Sequence, residues 1–209
     1  MFWSLIEEAR ARAGDRADDH GEGSPLPGAL VDVLVERLSP EAILAFSETR
    51  DEISADADRW DLVAACYLIE RYVSDDHFSD FRDGLILLGR DVFARAVQDP
   101  DSLADHALLT GRSARPATVV TDPAARFTGR VKVAYESITS LSVDAWTRLT
   151  GQDEEDYWEA LMRRRAEADA SERARPRPNY TDRWDLADAA EFGRRLPRLV
   201  RLLSIPQPM

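Results

Sequence analysis

The chain has 209 residues, of which 44% are apolar, and it contains five tryptophans. A folded chain of this size buries about 70% of the surface that its unfolded form exposes, so the composition supplies a core and excludes a disordered chain or a small disulfide scaffold. The formal charge of −12 at pH 7 disfavours binding to nucleic acid or to an anionic membrane unless the charges are segregated along the chain.

Helical periodicity dominates the first half of the chain. The first predicted helix carries apolar side chains from Phe2 to Ala9 on one face and ends at Gly14. Residues 15–28, which are rich in glycine and proline, predict a loop before a second amphipathic helix. A Ser-Pro-Glu sequence that starts at Ser39 supplies a capping hydroxyl, a proline and a first-turn acid, and it predicts the start of a third helix.

The next three helices also have recognisable start and stop signals. Asp61 is predicted to cap the fourth helix, with Trp60 packing back on it as a hydrophobic staple. Ser74 is predicted to cap the fifth helix, whose buried face carries four large apolar side chains: Phe78, Phe81, Leu85 and Ile86. Gly89 ends that helix, and a sixth runs to about Gln98.

The middle of the chain is less regular. Its β-like run, residues 118–121, predicts at most one short strand or hairpin near 117–133. Apolar spacing over 131–138 then predicts a helix, and Ser142 is predicted to cap the following helix, which ends near Gly151.

The C-terminal part returns to helical patterns. Four acids at 153–156 predict the start of a long helix, and Arg-Pro-Arg-Pro at 175–178 predicts an extended spacer. Residues 183–186 repeat the Arg-Trp-Asp-Leu of 59–62, so the last element is predicted to start there with the same staple and cap.

These elements predict an all-α fold, a single compact multi-helix domain with a helical C-terminal extension. Residues 1–110 are expected to form the helical core and 111–129 a linker. Residues 130–209 are expected to form a helical region that packs on the core.

The densest group of candidate binding residues lies between Ser74 and Asp83. Asp76, Asp80 and Asp83 share one helix face at i, i+4 and i+7, and each like-charge pair costs roughly 0.2–0.5 kcal/mol. A basic partner or a divalent cation would turn this face, together with Asp75, into a binding site. The alternative is that Asp75 and Asp76 stabilise the helix dipole while Asp80 and Asp83 are solvated.

His77 lies among these acids in the first turn of the fifth helix. It is either a general base whose pKa the neighbouring carboxylates raise or an exposed residue of the capping turn. A small-molecule pocket between helices four and five would use Trp60, Asp61, Asp76, His77 and Arg82. Carboxylate, imidazole and guanidinium groups would then serve as acid, base and anion clamp.

The cysteine and the other two histidines are weaker candidates for a functional site. Cys66 lies on an apolar stripe of the fourth helix, which predicts a buried and unreactive thiol. Because it is the single cysteine, an internal disulfide is excluded, which fits a reducing cytoplasm. His20 and His106 lack the spacing of metal ligands.

The sequence carries neither a Gly-x-Ser-x-Gly nor a His-Glu-x-x-His motif, and no phosphate-binding glycine-rich loop follows a strand. It therefore predicts no cofactor, no metal centre and no familiar hydrolase or nucleotide chemistry. The N-terminus has no basic leader and no apolar run approaches 18 residues, so we expect neither export nor a membrane span.

The charge is segregated along the chain. From Arg163 to Arg201 there are 11 arginines and 7 acids, a net charge of +4, which leaves −16 for the rest. Binding of an anion or a nucleic acid through this arginine-rich region is therefore an alternative. The helix dipole alone also favours a helix that opens with acids and continues with arginines.

The chain resembles a bacterial family known as domain of unknown function 4240. The resemblance is strongest over residues 2–104 and returns in the C-terminal part at AYESITSL, RLTG and RWDLADAAEFGRRLPRL. It implies a single helical unit and carries no established activity. The family turn before Ser74 is usually glycine-rich with a cysteine, whereas this chain has Glu-Arg-Tyr-Val at 70–73, which puts a pocket shaped by that turn in doubt. The segments that carry the strong resemblance are FWSLIEEAR, LSPEAILAF, RWDLVAACYLI, SDDHFSDFRDGLI and GRDVFARAVQDPDSLA.

The sequence therefore favours a non-enzymatic interaction or regulatory module, similar in role to an immunity protein, whose acidic face meets a basic protein partner. The face comprises Asp75, Asp76, Asp80 and Asp83 with nearby Arg82. The helix four and five pocket and the arginine-rich region remain the alternatives.

Overall fold

The computed structural model describes residues 1–20, 23–110, 133–135, 137–167, 180 and 182–203, and all regular secondary structure in these ranges is helical, as predicted. The expected linker at 111–129 lies outside the described residues. So does the expected strand region at 117–133, apart from Val133, which has no regular secondary structure. The helices are α1 (Phe2–Ala13), α2 (Leu26–Arg37), α3 (Pro40–Asp56), α4 (Trp60–Glu70), α5 (Asp75–Leu87), α6 (Arg90–Gln98), α7 (Ala107–Thr110), α8 (Ile138–Thr150), α9 (Glu154–Glu167), α10 (Ala189–Arg195) and α11 (Pro197–Leu203), with 3-10 helices at Gly14–Arg16 and Pro100–Asp105.

Local capping signals set several helix ends where the sequence predicts them. The Ser39 hydroxyl accepts a hydrogen bond from Ala42 N at 3.3 Å, and the Ser74 hydroxyl accepts one from His77 N at 3.2 Å. Gly151 ends α8 in the left-handed region at φ 70°, which glycine adopts without a Cβ clash. These contacts satisfy backbone groups that a helix end leaves unpaired.

One hydrophobic cluster joins the helices on both sides of residues 111–132. Helix α8 packs against α2 and α3, and α1 packs on α2. On another side, α11 packs on the 3-10 helix Pro100–Asp105 and on α4. The largest fully buried side chains come from six of the helices: Tyr157, Phe46, Phe81, Ile6, Leu26, Leu30, Leu34, Ile43, Leu62, Leu85, Ile86 and Leu87. Among the described residues, no helix combines the length and the apolarity needed to cross a membrane.

The helix predicted over residues 131–138 is wrong in its described part. Val133, Ala134 and Tyr135 have no helical structure, and α8 begins only at Ile138, where Ser137 caps it. Ser142 is not a cap either, because it lies inside α8 and donates to Ile138 O at 3.0 Å. The apolar spacing that predicted a helix reflects burial of a segment without regular secondary structure, which we call the strap (residues 133–135).

The predicted cap and staple at the start of α4 are also wrong. Arg59 is the N-cap, and Trp60 is the first helical residue, whereas a staple requires an apolar residue before the cap. Asp61 instead pairs with Arg59 at 2.7 Å. The repeated motif at 183–186 does not start a helix, since α10 begins at Ala189 with Asp188 as its cap.

The start of α2 and the exposure of Met162 also differ from the sequence prediction. Helix α2 begins at Leu26, before the expected end of the loop, because Pro27 is compatible with the first turn of a helix. In α9, Tyr157 and Leu161 are buried, but Met162 is half-exposed rather than part of the core.

The strap crosses α5 at Gly84, inside that helix. A Cβ atom placed on Gly84 would lie 1.7 Å from Val133 O, far closer than any non-bonded contact. The crossing therefore requires a residue without a side chain, at the usual cost of about 0.5–1 kcal/mol for glycine inside a helix.

We predict that Gly84→Ala lowers the free energy of unfolding by about 3 kcal/mol or more, because the added methyl group must push the strap away from α5. Gly193→Ala in α10 is the matched control, since an added Cβ there would meet no atom within 4 Å. This control should be neutral or slightly stabilising. Urea unfolding followed by circular dichroism measures both, and equal stabilities would contradict the close crossing.

Candidate functional site

The first turn of α5 presents two of the predicted binding residues to solvent. Asp75 and Asp76 are both exposed, and neither carboxylate forms an ion pair with a described residue. Asp80 lies one turn further and is half-buried, and its backbone oxygen accepts a hydrogen bond from Tyr135 N at 3.2 Å. The exposed charge of this helix is therefore concentrated in its first turn.

Asp83 is fully buried, contrary to the exposed face expected from its spacing. Its carboxylate accepts a hydrogen bond from Arg50 Nε at 2.7 Å, and a second guanidinium nitrogen lies 2.5 Å from the other oxygen. The same carboxylate accepts a hydrogen bond from Ile138 N at 2.9 Å, at the start of α8. Asp83 thus joins three helices and is not available to a partner.

The Arg50 side chain extends this buried network to α9. A terminal nitrogen of Arg50 donates to Asp51 at 3.0 Å, and Arg165 donates to the other Asp51 oxygen at 2.5 Å. Charges removed from water are tolerated only when they are paired and hydrogen-bonded. The network of Asp83, Arg50, Asp51 and Arg165 satisfies that condition while it links α3, α5, α8 and α9.

Glu70, at the end of α4, is a second buried carboxylate that binds backbone. Its Oε1 accepts hydrogen bonds from Val133 N at 2.9 Å and from Ala134 N at 2.6 Å. Its Oε2 lies 2.9 Å from Nε2 of His77. One carboxylate therefore holds the strap and lies against the imidazole, whose Nε2 makes no hydrogen bond to a described residue.

His77 is largely buried rather than exposed in the capping turn, with 16% of its side chain accessible. Its ring packs edge-on against Tyr72 at 5.2 Å between ring centroids. A buried carboxylate beside an imidazole is an arrangement found in acid–base sites. In this chain, however, the Glu70 carboxylate is also occupied by two strap amides.

His20 holds the strap from the opposite side. Its Nδ1 donates to Val133 O at 2.9 Å, and its ring packs edge-on against Tyr135. Only 7% of the residue is exposed, and burial lowers the pKa of His20 to about 4. The strap is thus held at its N–H groups by Glu70 and at a carbonyl by a neutral imidazole.

Arg82 and Trp60, two members of the predicted pocket, belong to one cluster at the other end of α4. Arg82 donates to Ser54 O at 3.3 Å and lies 3.6 Å from Asp58. Tyr180 donates to Asp58 at 2.5 Å and packs edge-on against Trp60.

The Trp60 indole nitrogen also donates to Trp184 O at 3.1 Å, so the two tryptophans of the repeated motif are in direct contact. His77 contacts Glu70, about 15 Å away along α4, and Asp76 lies beside His77 in the first turn of α5. Asp61 pairs with Arg59. The five predicted pocket residues therefore do not form a single site.

The arginine-rich region is largely neutralised by acids in its described part. Arg164 pairs with Glu48 at 2.8 Å, Arg195 with Glu191 at 2.7 Å, and Arg198 with Asp105. Residues 168–179, which contain three of the arginines, lie outside the described residues. The structure thus offers no support for a basic binding face built from Arg164, Arg195 and Arg198.

The remaining reactive groups also have structural explanations. Cys66 is buried, as predicted, and burial raises the pKa of its thiol. Within the described ranges, no three histidine, cysteine, aspartate or glutamate side chains are grouped in a way that could hold a metal ion.

Sequence reasoning missed the residues that matter most for this geometry: Glu70, Arg50, Ser54, Asp58 and Gly84. Two local signals were available. Glu70 follows Cys66 by four residues on the buried stripe of α4, where an acid requires a partner. Gly84 lies inside a helix, where glycine costs stability and often marks close contact with another segment.

We predict that Asp83→Asn lowers the free energy of unfolding by about 3–5 kcal/mol, because it removes the carboxylate that binds two nitrogens of the buried Arg50 guanidinium and leaves Arg50 to share Asp51 with Arg165. Arg50→Met combined with Asp83→Asn should cost less than Asp83→Asn alone, since no uncompensated charge then remains. Asp75→Asn, on the surface of the same helix, is the control and should cost about 1 kcal/mol at most. Urea unfolding of the four proteins measures these differences, and equal losses for Asp83→Asn and Asp75→Asn would contradict the structural role of Asp83.

A family model described as protein of unknown function (DUF4240) matches residues 1–144. The matched range includes Glu70, His77, Asp83, the strap and the start of α8. No curated protein and no solved structure matches the chain. Because the match spans more than half of the sequence, the chain belongs to this family of unknown function.

Proposed function

We propose that this protein is a non-enzymatic interaction module of the bacterial cytoplasm that binds a basic surface of a partner protein. Asp75 and Asp76 form the centre of the binding face, and Asp80 extends it by one turn. The observation that carries the proposal is the exposure of Asp75 and Asp76 without an ion pair among the described residues. The other polar groups of α5 that suggested a site, His77, Arg82 and Asp83, are held by intramolecular contacts.

The overall charge supports the same proposal. A chain with a formal charge of −12 attracts basic surfaces over a distance of about 8 Å at physiological salt. Complementary charge accelerates association and disfavours wrong partners. An acidic module of this kind suits a regulatory or immunity-like role in which it masks a basic surface of another protein.

The helix dipole gives Asp75 and Asp76 a second role, which the test must separate from binding. Two acids in the first turn stabilise a helix by about 0.3–1 kcal/mol each. Helix α9 offers a matched control, because it also opens with two exposed acids, Glu154 and Glu155. Neutralising either pair removes the same charge from the same helical positions.

We predict that Asp75→Asn with Asp76→Asn abolishes binding of a basic partner, whereas Glu154→Gln with Glu155→Gln leaves it unchanged. The measurement is affinity capture from the native lysate at about 0.15 M salt, followed by the dissociation constant for the purified partner. We expect one stoichiometric basic protein, a loss of affinity of at least tenfold in the α5 variant and weaker binding at high salt. Absence of such a partner, or equal binding by both variants, would contradict the proposal.

A small-molecule site at the cluster of Arg82, Asp58, Tyr180 and Trp60 is the second candidate. It is favoured by two buried polar atoms without a hydrogen-bond partner among the described residues, Ser54 Oγ and Arg82 Nε. Buried polar groups normally have a partner, and a ligand with oxygen acceptors and a flat ring would supply one beside the aromatic side chains.

For this candidate we predict that a small organic anion raises the melting temperature of the wild type but not of Arg82→Ala. Arg59→Ala, which removes a surface arginine paired with Asp61, is the control and should keep the shift. A panel of aromatic carboxylates and phosphates followed by thermal unfolding provides the measurement. No shift with any compound, or an equal shift in Arg82→Ala, would exclude the site.

A further inference from the structure

We propose that the strap is an acid-released latch and that His20 is its trigger. Protonation of the buried imidazole detaches residues 133–135 from α4 and α5 while the start of α8 stays in place. This inference does not depend on the proposed binding function, because it concerns only how the strap is held.

The hydrogen bond to the strap fixes the form of the imidazole. Val133 O can only accept, so Nδ1 of His20 carries the hydrogen, and the bond is 2.9 Å long. The neutral ring then has no hydrogen on Nε2. This atom is buried and has no hydrogen-bond partner among the described residues, so protonation would create a buried charged N–H group without an acceptor, which is costly.

Among the described residues, the hydrogen bond to Val133 O and the charge of Asp18 favour a proton on His20, but burial outweighs both. Asp18 is a described acid whose charge acts on His20, and its carboxylate already binds Arg10 at 2.7 Å. His106, after the 3-10 helix, lies 3.8 Å from the other Asp18 oxygen. Arg10 and a protonated His106 would both repel an imidazolium at His20, in addition to the effect of burial.

The opposite side of the strap also carries titratable groups. Glu70 accepts the two strap amides and lies against His77. The imidazole of His77 therefore lies on the amide side of the strap, whereas that of His20 lies on the carbonyl side. Burial lowers the pKa of His20, which places the acid-sensitive contact at the carbonyl side of the strap.

The pH range in which the strap is released follows from the lowered pKa of His20. His20 binds its proton less readily in the folded protein than in a released strap, so its contribution to strap binding is complete above pH 6.5, the ordinary pKa of the group. The contribution decreases as the pH falls towards 4. Release of the strap relieves the burial of His20, so opening and protonation occur together.

Two further contacts hold this part of the backbone without a histidine: Tyr135 N donates to Asp80 O at 3.2 Å, and the second contact lies at the start of α8. Ile138 N donates to Asp83, which Arg50 holds, and this arginine keeps its charge throughout the range. Acidification should therefore release the strap and leave α8 attached, which distinguishes a latch from general acid unfolding.

The test is a pH titration from 7.5 to 4.5 followed by the backbone amide signals of Val133, Ala134 and Ile138 in heteronuclear NMR spectra. We expect the two strap signals to move together towards the positions of unstructured residues with a midpoint between pH 4 and 6.5. The Ile138 signal should keep its folded position. Loss of all three signals together with those of α5, or strap signals that do not change, would overturn the latch.

His20→Asn provides the decisive variant, because the asparagine amide nitrogen takes the place of Nδ1 as a donor to Val133 O but does not titrate. The strap transition should disappear in this variant and persist in His106→Asn. If His20→Asn does not fold, the imidazole signals of His20 in the wild type replace it and should titrate with the same midpoint as the strap amides. A strap transition that persists in His20→Asn, or a His20 titration separate from that of the strap, would overturn the proposal.

Discussion

Two buried carboxylates that accept backbone N–H groups determine how the C-terminal part of the chain attaches to the N-terminal part. Glu70 binds the amides of Val133 and Ala134, and Asp83 binds the amide of Ile138. A buried amide without an acceptor costs about 1–3 kcal/mol. These bonds therefore specify where the strap lies and where α8 begins, and α8 in turn supplies much of the core against α2 and α3.

The acids of α5 fall into two groups, because a buried carboxylate must be paired whereas an exposed one need not be. Asp83 faces the core, where Arg50 compensates its charge, and the strap covers the helix at Gly84. The first turn is accessible, and its two aspartates, Asp75 and Asp76, are exposed. The C-terminal part of α5 is thus buried and its first turn is exposed. The spacing that placed Asp76, Asp80 and Asp83 on one face did not show which of these aspartates is buried.

The sequence predicted the elements that depend on local chemistry. The capping hydroxyls of Ser39 and Ser74, the stop at Gly14 and the buried faces of α1 and α5 involve residues within a few positions of one another. The all-α class follows from these elements.

Contacts between residues far apart in the chain could not be predicted from such local signals. Val133 is bound by a glutamate 63 residues earlier in the chain, and Ile138 by an aspartate 55 residues earlier. Nothing in the apolar spacing around 131–138 distinguishes a buried irregular segment from a helix, since both bury apolar residues. The same limit applies to Trp60, whose contacts come from Tyr180 and Trp184, more than 100 residues away.

The exchange rates of three backbone amides at neutral pH test the central claim most directly. If Glu70 and Asp83 hold the strap and the start of α8, then the amides of Val133, Ala134 and Ile138 should exchange with deuterium as slowly as amides in the buried part of α5, such as those of Leu85 and Ile86. Exchange of these three amides at the rate of an unstructured peptide, with α5 still protected, would contradict the account.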